Sequence, residues 1–232
     1  MMPRTLRQLS TAAFLIGAVA FSSAQITSKN GLYTFRINLK PKQVLRYQSD
    51  VVTPMVSMKM PSVIKVLSVA NGVAKIEFTN GPGLINGSAM QDEPVVEVAE
   101  IDMRGKPALS GSYMNSGVFG SFPSGPVKVG AQWKGEVPLG QGAMGAGMSN
   151  ASATYTFLGV KQFGAIKVAS IRVVVNATSG KDKTSPIQKI AGDGIVQVDT
   201  TDGMLRSSTV SLKLFMSSMA KPFDTKAVIK RI

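Results

Sequence analysis

The sequence predicts an all-β protein, and two observations carry that expectation. Apolar and polar residues alternate with a period of two along most of the chain, while a helical spacing is almost absent. Turn-forming pairs such as Asn71-Gly72, Phe163-Gly164 and Asp202-Gly203 separate the alternating runs, with no alternation of strands and helices between them. Many short strands joined this way imply a strongly curled antiparallel sheet, as a half-barrel, barrel or sandwich.

Each element follows from its own pattern. Leu32 to Leu39 (LYTFRINL) sets Tyr33, Phe35, Ile37 and Leu39 against Leu32, Thr34, Arg36 and Asn38, a half-buried strand. Val44 to Val52 follows Lys40-Pro41-Lys42. Ser62 to Ala70 and Val73 to Thr79 flank Asn71-Gly72, a pair that favours the positive φ a tight hairpin needs. Pro94 to Asp102 is a further strand, closed by Arg104-Gly105. In the second half, Ala153 to Lys161 pairs with Ala165 to Ala177, and Gly194 to Thr200 with Leu205 to Met216. Thr225 to Ile232 ends the chain as a strand. Residues 103 to 150 form a long connection rich in Gly, Ser and Pro, with one or two strands, a short helix around Ala108 to Val118, and a Gly-rich tail, LGQGAMGAGMSN. Tyr-Thr-Phe opens a strand–turn–strand unit at 33 to 35 and again at 155 to 157, too short a match to establish an internal duplication.

The first residues indicate export. Arg4 and Arg7 precede the apolar run Thr11 to Phe21, and Ser22-Ser23-Ala24 offers small residues for cleavage after Ala24. Residues 1–24 are read as a signal peptide and 25–232 as one all-β domain of 208 residues, destined for the periplasm or the extracellular space. The apolar run is shorter than the ~20 residues a membrane helix needs, and no later stretch qualifies, so the mature chain is expected to have no transmembrane segment. With no cysteine, neither a lipid-anchored cysteine nor a disulfide is available, and packing must hold the fold.

Twenty-six Lys and Arg against 13 Asp and Glu give +13, or +11 without Arg4 and Arg7. That balance favours a lipid or anionic amphiphile as partner; export argues against nucleic acid. The basic residues are scattered, as on an ordinary solvated surface.

Candidate chemistry is thin. The absence of histidine and cysteine removes the triads that depend on them, thiolate nucleophiles and structural zinc. Ser62-Val63-Ile64-Lys65 and Ser218-Met219-Ala220-Lys221 match Ser-x-x-Lys, the nucleophile motif of penicillin-recognising enzymes, but in a strand an offset of three sends the first pair to opposite faces. Lys183-Thr184-Ser185 only approaches the companion Lys-Thr-Gly. Among the acidic residues 92 to 102, alternation places Glu93 and Glu97 with Val95, and Glu100 and Asp102 with Val98, which singles out no catalytic pair and suits a charged edge strand. Gly140 to Gly145 matches Gly-x-Gly-x-x-Gly without the helix or acidic residue a dinucleotide site requires. Asn86-Gly87-Ser88, Asn150-Ala151-Ser152 and Asn176-Ala177-Thr178 are formal glycosylation acceptors.

The stretch Met55 to Met60 (MVSMKM) suggests a thioether site for Cu(I). Extended geometry instead puts Val56, Met58 and Met60 on one face and Met55, Ser57 and Lys59 on the other, so three thioethers do not converge; a bulge or a second strand, such as one bringing in Met144 and Met148 from the Gly-rich loop, is needed to complete such a site. Met58 and Met60 are better read as adaptable apolar wall. No cofactor and no metal site is expected.

The segments Pro126-Val127-Lys128-Val129-Gly130-Ala131-Gln132-Trp133, Tyr155-Thr156-Phe157-Leu158-Gly159-Val160 and Gly194-Ile195-Val196-Gln197-Val198-Asp199 together resemble exported bacterial proteins of unknown function with a P-V-x-x-G-x-x-W, Y-x-x-x-G-V, G-x-x-x-V-D spacing. The resemblance implies a curled antiparallel sheet similar to the lipoprotein-carrier half-barrels, and brings no catalytic residue. An acidic residue usual two positions before the tryptophan is Ala131 here. Met58, Met60, Trp133 and Phe157 are the candidate ligand-binding residues. The expected function is a non-catalytic envelope protein holding a lipid or other amphiphile in an apolar concavity, the alternative being a structural or protein-interaction domain of the cell surface.

Overall fold

The computed structural model describes residues 26–89, 93–105, 122–138, 150–178, 187–216 and 221–232. The expected signal peptide, the helix expected around Ala108 to Val118, the Gly-rich tail to Met148, Lys183 to Ser185 and Ser218 fall outside them.

Fourteen strands are present among the described residues. They are β1 Ile26–Lys29, β2 Leu32–Phe35, β3 Val44–Val52, β4 Ser57–Ala70, β5 Val73–Asn80, β6 Leu84–Ile85 and β7 Ser88–Ala89, then β8 Val95–Asp102, β9 Gln132–Pro138, β10 Asn150–Phe163, β11 Ile166–Thr178, β12 Ile187–Asp199, β13 Leu205–Met216 and β14 Phe223–Arg231. Except for the β1–β2 hairpin, all belong to one antiparallel sheet that runs from β8 through β5, β4, β3, β14, β13, β12, β11 and β10 to β9, with β6 and β7 alongside the start of β4.

The sheet is open. Its outermost strands β8 and β9 do not pair with each other, and it neither closes into a barrel nor curls strongly, contrary to the sequence expectation. Strong curl buries a face by bringing distant strands together. Here a strap made of residues 26–39 lies on that face instead, and removes the need.

The strap supplies both core clusters. Ile26 and Phe35 pack with residues of β10 to β13, including Phe157, Ile171, Val173 and Ile190. Ile37 and Leu39 pack with Leu45, Tyr47, Ile64, Ile76 and Phe78 of β3 to β5, together with Ile101 and Ile229. Phe122 and Val196 touch both clusters, so the two form one continuous inner layer.

The expected strand over Leu32 to Leu39 stops at Phe35, because the next backbone groups find other partners. The Ile37 N–H donates to the Met103 carbonyl at 2.6 Å and the Asn38 N–H to that of Asp202 at 2.9 Å. Three of the four described Asn-Gly pairs, 30–31, 71–72 and 86–87, have positive φ at both residues, and each makes a hairpin turn; Asn80-Gly81, at the end of β5, does not.

Where the strap crosses the β12–β13 turn, the backbones touch. Gly203 has φ of +73°, and a Cβ there would overlap the Arg36 carbonyl oxygen. Gly203→Ala is therefore expected to destabilise the fold by about 2–4 kcal/mol, combining backbone strain with steric overlap. A urea midpoint within error of the parent would refute this contact.

Candidate functional site

Register partners in an antiparallel sheet share a face, so the pairings trace rows across the molecule. One inner-face row starts at Trp133 on β9 and passes through Tyr155, Val173 and Gly194, then Val210, Ala227, Val51 and Met58, ending at Ile85 on β6. The next row runs from Phe157 through Ile171, Val196, Ser208, Ile229 and Ser49 to Met60. The four sequence-predicted ligand residues thus lie at or next to the ends of two adjacent rows.

The two ends differ. Phe157 is fully buried, and its ring meets Phe35 edge-on at 5.1 Å and Tyr33 at 4.9 Å. The two Tyr-Thr-Phe segments therefore pack on each other. Trp133 is half-buried, stacked on Tyr155 at 5.5 Å with 15° between planes and tilted to Phe35 at 6.1 Å. These aromatics anchor the strap. Met58 and Met60 are half-buried, and with Val51, Ala227 and Ile85 they belong to neither core cluster. Met55 lies in the turn before β4, 68% exposed, so the three methionines do not converge.

Between these ends the sheet pinches. A Cβ at Gly192 would overlap the Ser211 carbonyl oxygen, and one at Gly194 that of Thr209, so glycine at these two positions admits β13 close across β12. Beside the pinch lies an open cavity of about 640 Å³, lined by Val52, Thr53 and Pro54, by Ala191 to Asp193, by Ser211 to Lys213 and by Asp224 to Lys226. Thr225 is 5% exposed and its hydroxyl has no hydrogen-bond partner. The sequence signal for it was a polar residue at an inward position of the alternating series Thr225, Ala227, Ile229; only the register connects that position to the cavity.

A second polar feature is satisfied internally. Asp202 accepts hydrogen bonds from Arg231 at 2.7 Å, from the Gln43 side chain at 3.2 Å and from the Met204 N–H at 2.9 Å. Asp199 accepts from the Thr201 N–H at 2.8 Å and lies 3.9 Å from Arg231. Both carboxylates are buried, and one guanidinium serves both. Tyr47, the register partner of Arg231, is wholly buried without a partner for its hydroxyl. Burial pushes its ionisation strongly upward, opposed by Arg231 and reinforced by Asp202 and Asp199. Ser62 is buried while Lys65 points outward to Glu77 at 2.8 Å, so the Ser-x-x-Lys pair is split across the sheet. Among the described residues, no three His, Cys, Asp or Glu side chains group to hold a metal ion, and no helix is long and apolar enough to cross a membrane.

No protein-family model and no curated protein matches the chain. Among solved structures it is similar to a Bacteroides fragilis protein with a YmcC-like fold that is taken to be exported. That match has 12% identity and a TM-score of 0.41, covering 85% of this chain and 98% of the other.

Two predictions follow from the buried polar groups. Arg231→Leu leaves two buried carboxylates without their counter-charge and is expected to cost about 3–5 kcal/mol, whereas Tyr47→Phe removes only an unpartnered hydroxyl and is expected to be neutral or stabilising by up to about 1 kcal/mol; denaturant titration of both variants checks the contrast. Burial also raises the Tyr155 phenol from 10.0 to about 12, so the folded state holds it neutral where the unfolded state ionises it. Its contribution is complete below pH 10 and is lost as pH rises through 12. Stability should decline across that window, with tyrosinate absorbance from the buried rings appearing together with unfolding; full ionisation in a still-folded protein would contradict it.

Proposed function

We propose that the protein is a non-catalytic exported domain that binds a lipid or other amphiphile along the half-buried apolar stretch of its inner face, from Gly194 to Ile85. The observation that carries this reading is that Val51, Ala227, Met58, Met60 and Ile85 face inward, yet belong to neither core cluster. Apolar surface left half-covered on the same face as a packed core is what a binding groove requires, and methionine suits a wall that must adapt to its occupant. The leader-like first 24 residues support export, and the +11 charge of the remainder favours an anionic ligand in that compartment. A non-catalytic role is supported by the lack of histidine and cysteine and by the separation of Ser62 from Lys65.

A second reading, a structural or protein-interaction domain, is favoured by one feature. Edge strand β8 exposes Val95, Val96 and Val98 at 40%, 55% and 55%, an apolar edge that another strand could extend.

Native mass spectrometry after detergent-free purification, with displacement of an apolar fluorescent dye by palmitate, tests the first reading. The expected result is bound lipid or dye, with affinity falling at least about tenfold in Met58→Lys at unchanged β-sheet circular dichroism. A ligand-free protein that binds no dye, recovered by crosslinking in one defined complex, would establish the second reading.

A further inference from the structure

We propose that the free edge of β8 is the docking site for an extended strand of a partner protein in which Lys or Arg is interspersed with apolar residues. The inference rests on the second reading above and gives it a partner chemistry; the apolar groove lies on other strands and is not involved.

Three observations converge. First, the edge is bare. Among the described residues β8 pairs only with β5, in eight consecutive register pairs without a bulge, so every second residue turns its N–H and carbonyl away from the sheet. Such an edge is usually guarded by Lys, Pro or a bulge. The opposite edge, β9, has guards of this kind in the exposed Lys134 and in Pro138, whereas β8 has none of the three. Second, its charge is one-sided. The charged residues of β8 are Glu97, Glu100 and Asp102, all acidic, in a chain with two basic residues for each acidic one. Glu97 and Glu100 have no base within ion-pair distance among the described residues, although Lys75 is the register partner of Glu100. One Glu97 carboxylate oxygen also lacks a hydrogen-bond partner. By contrast, Glu77, Asp193, Asp199 and Asp202 each lie within ion-pair distance of a base. Third, the exposed Val95, Val96 and Val98 flank Glu97, with Val96 and Val98 on the outer face and Val95 beside Glu97 on the inner one.

These features select the occupant. A second β8 strand would bring acids against acids across the new ladder, which like charges oppose, so the edge repels its own copy. A strand carrying Lys or Arg meets no such barrier and supplies the counter-charge that Glu97 and Glu100 lack. Its apolar residues cover the valines, and main-chain hydrogen bonds contribute the remaining affinity. Glu97 and Glu100, three positions apart, take opposite faces, so the matching strand has its bases three apart as well.

The test uses the full chain after leader removal and the capped, fluorescein-labelled peptide Thr-Val-Lys-Val-Val-Lys-Val-Thr, whose lysines meet Glu97 and Glu100 in either strand direction. One control peptide has Glu for both lysines. Another has Pro for the two central valines, which keeps the charge but removes ladder donors. By fluorescence anisotropy the lysine peptide is expected to bind at least about tenfold more tightly than either control. Glu97→Gln with Glu100→Gln should abolish its advantage over the glutamate peptide, and Val98→Lys should weaken it at least about tenfold, both at unchanged β-sheet circular dichroism. Hydrogen exchange of the parent protein should slow in β8 on adding the lysine peptide and stay unchanged in β9. No binding, equal binding of the lysine and proline peptides, indifference to the glutamine variant, or protection elsewhere than β8 overturns the partner assignment. A concentration-dependent dimer that Val98→Lys dissociates overturns it too, and assigns the edge to a second copy. After any of these results, one defined crosslinked complex in the intact envelope leaves the interaction reading standing, and its absence removes both.

Discussion

Everything in this fold depends on how a single open sheet keeps one of its faces dry. A layer of strands without a second layer exposes both faces, and backbone hydrogen bonds alone do not offset the entropy of ordering so long a chain. The strap at residues 26–39 supplies the missing layer. Phe35, Ile37 and Leu39 each become buried, a gain of roughly 1.5–3 kcal/mol apiece, and their alternation lets one segment serve two clusters in turn. Its position is fixed where it crosses the β12–β13 turn, by Gly203 against Arg36 and by the Asn38 N–H donating to the Asp202 carbonyl.

That crossing explains why so much charge is buried nearby. Asp199 ends β12 and Asp202 lies in the turn after it, Gln43 lies just beyond the strap, and Arg231 comes from the last strand, so the network joins segments far apart in sequence. Such pairs seldom add much net stability, since desolvation consumes the attraction, but each partner becomes costly to leave unpaired. Their effect is on geometry. A strap shifted by one residue would turn its apolar side chains to solvent and break the Asn38 N–H bond to the Asp202 carbonyl in the same step.

The strands were legible in the sequence because each has one dry face, which writes a period of two into residues such as Tyr155, Phe157, Val173 and Val175. The hairpins were legible only where their flanks were long. Asn71-Gly72 stands between two clear alternating runs, whereas Asn30-Gly31 follows the mostly polar ITSK, and Asn86-Gly87 joins strands of two residues, although all three turns have the same geometry. Closure was not legible. Periodicity states which face a residue takes, while the extent of curl depends on what else covers that face, and the covering strap looked like one more strand. For the site, the inward direction of Met58 and Met60 could be read from alternation. The row that joins them to Gly194 and Val210 could not, because register across β3, β14, β13 and β12 is set by pairings that no local pattern records.

An orphaned polar atom is not in itself a sign of function, and the inner layer shows why Thr225 differs from the others. The hydroxyls of Tyr47 and Tyr155 are also buried without partners, as is one carboxylate oxygen of Glu97, yet none of these residues lines the cavity. The two tyrosine rings fill volume within the core, where the cost of a lost hydrogen bond is offset by a large apolar contact. Thr225 has no such compensation, since valine would make the same contacts from the same rotamer without the desolvated hydroxyl. It lies instead beside open volume, one strand from Leu212 and next in sequence to both Asp224 and Lys226. The Asp202 network, with its acceptors engaged, accounts for itself within the fold. Lining a cavity and being reachable from it are separate properties, and the enclosed Thr225 hydroxyl has only the first.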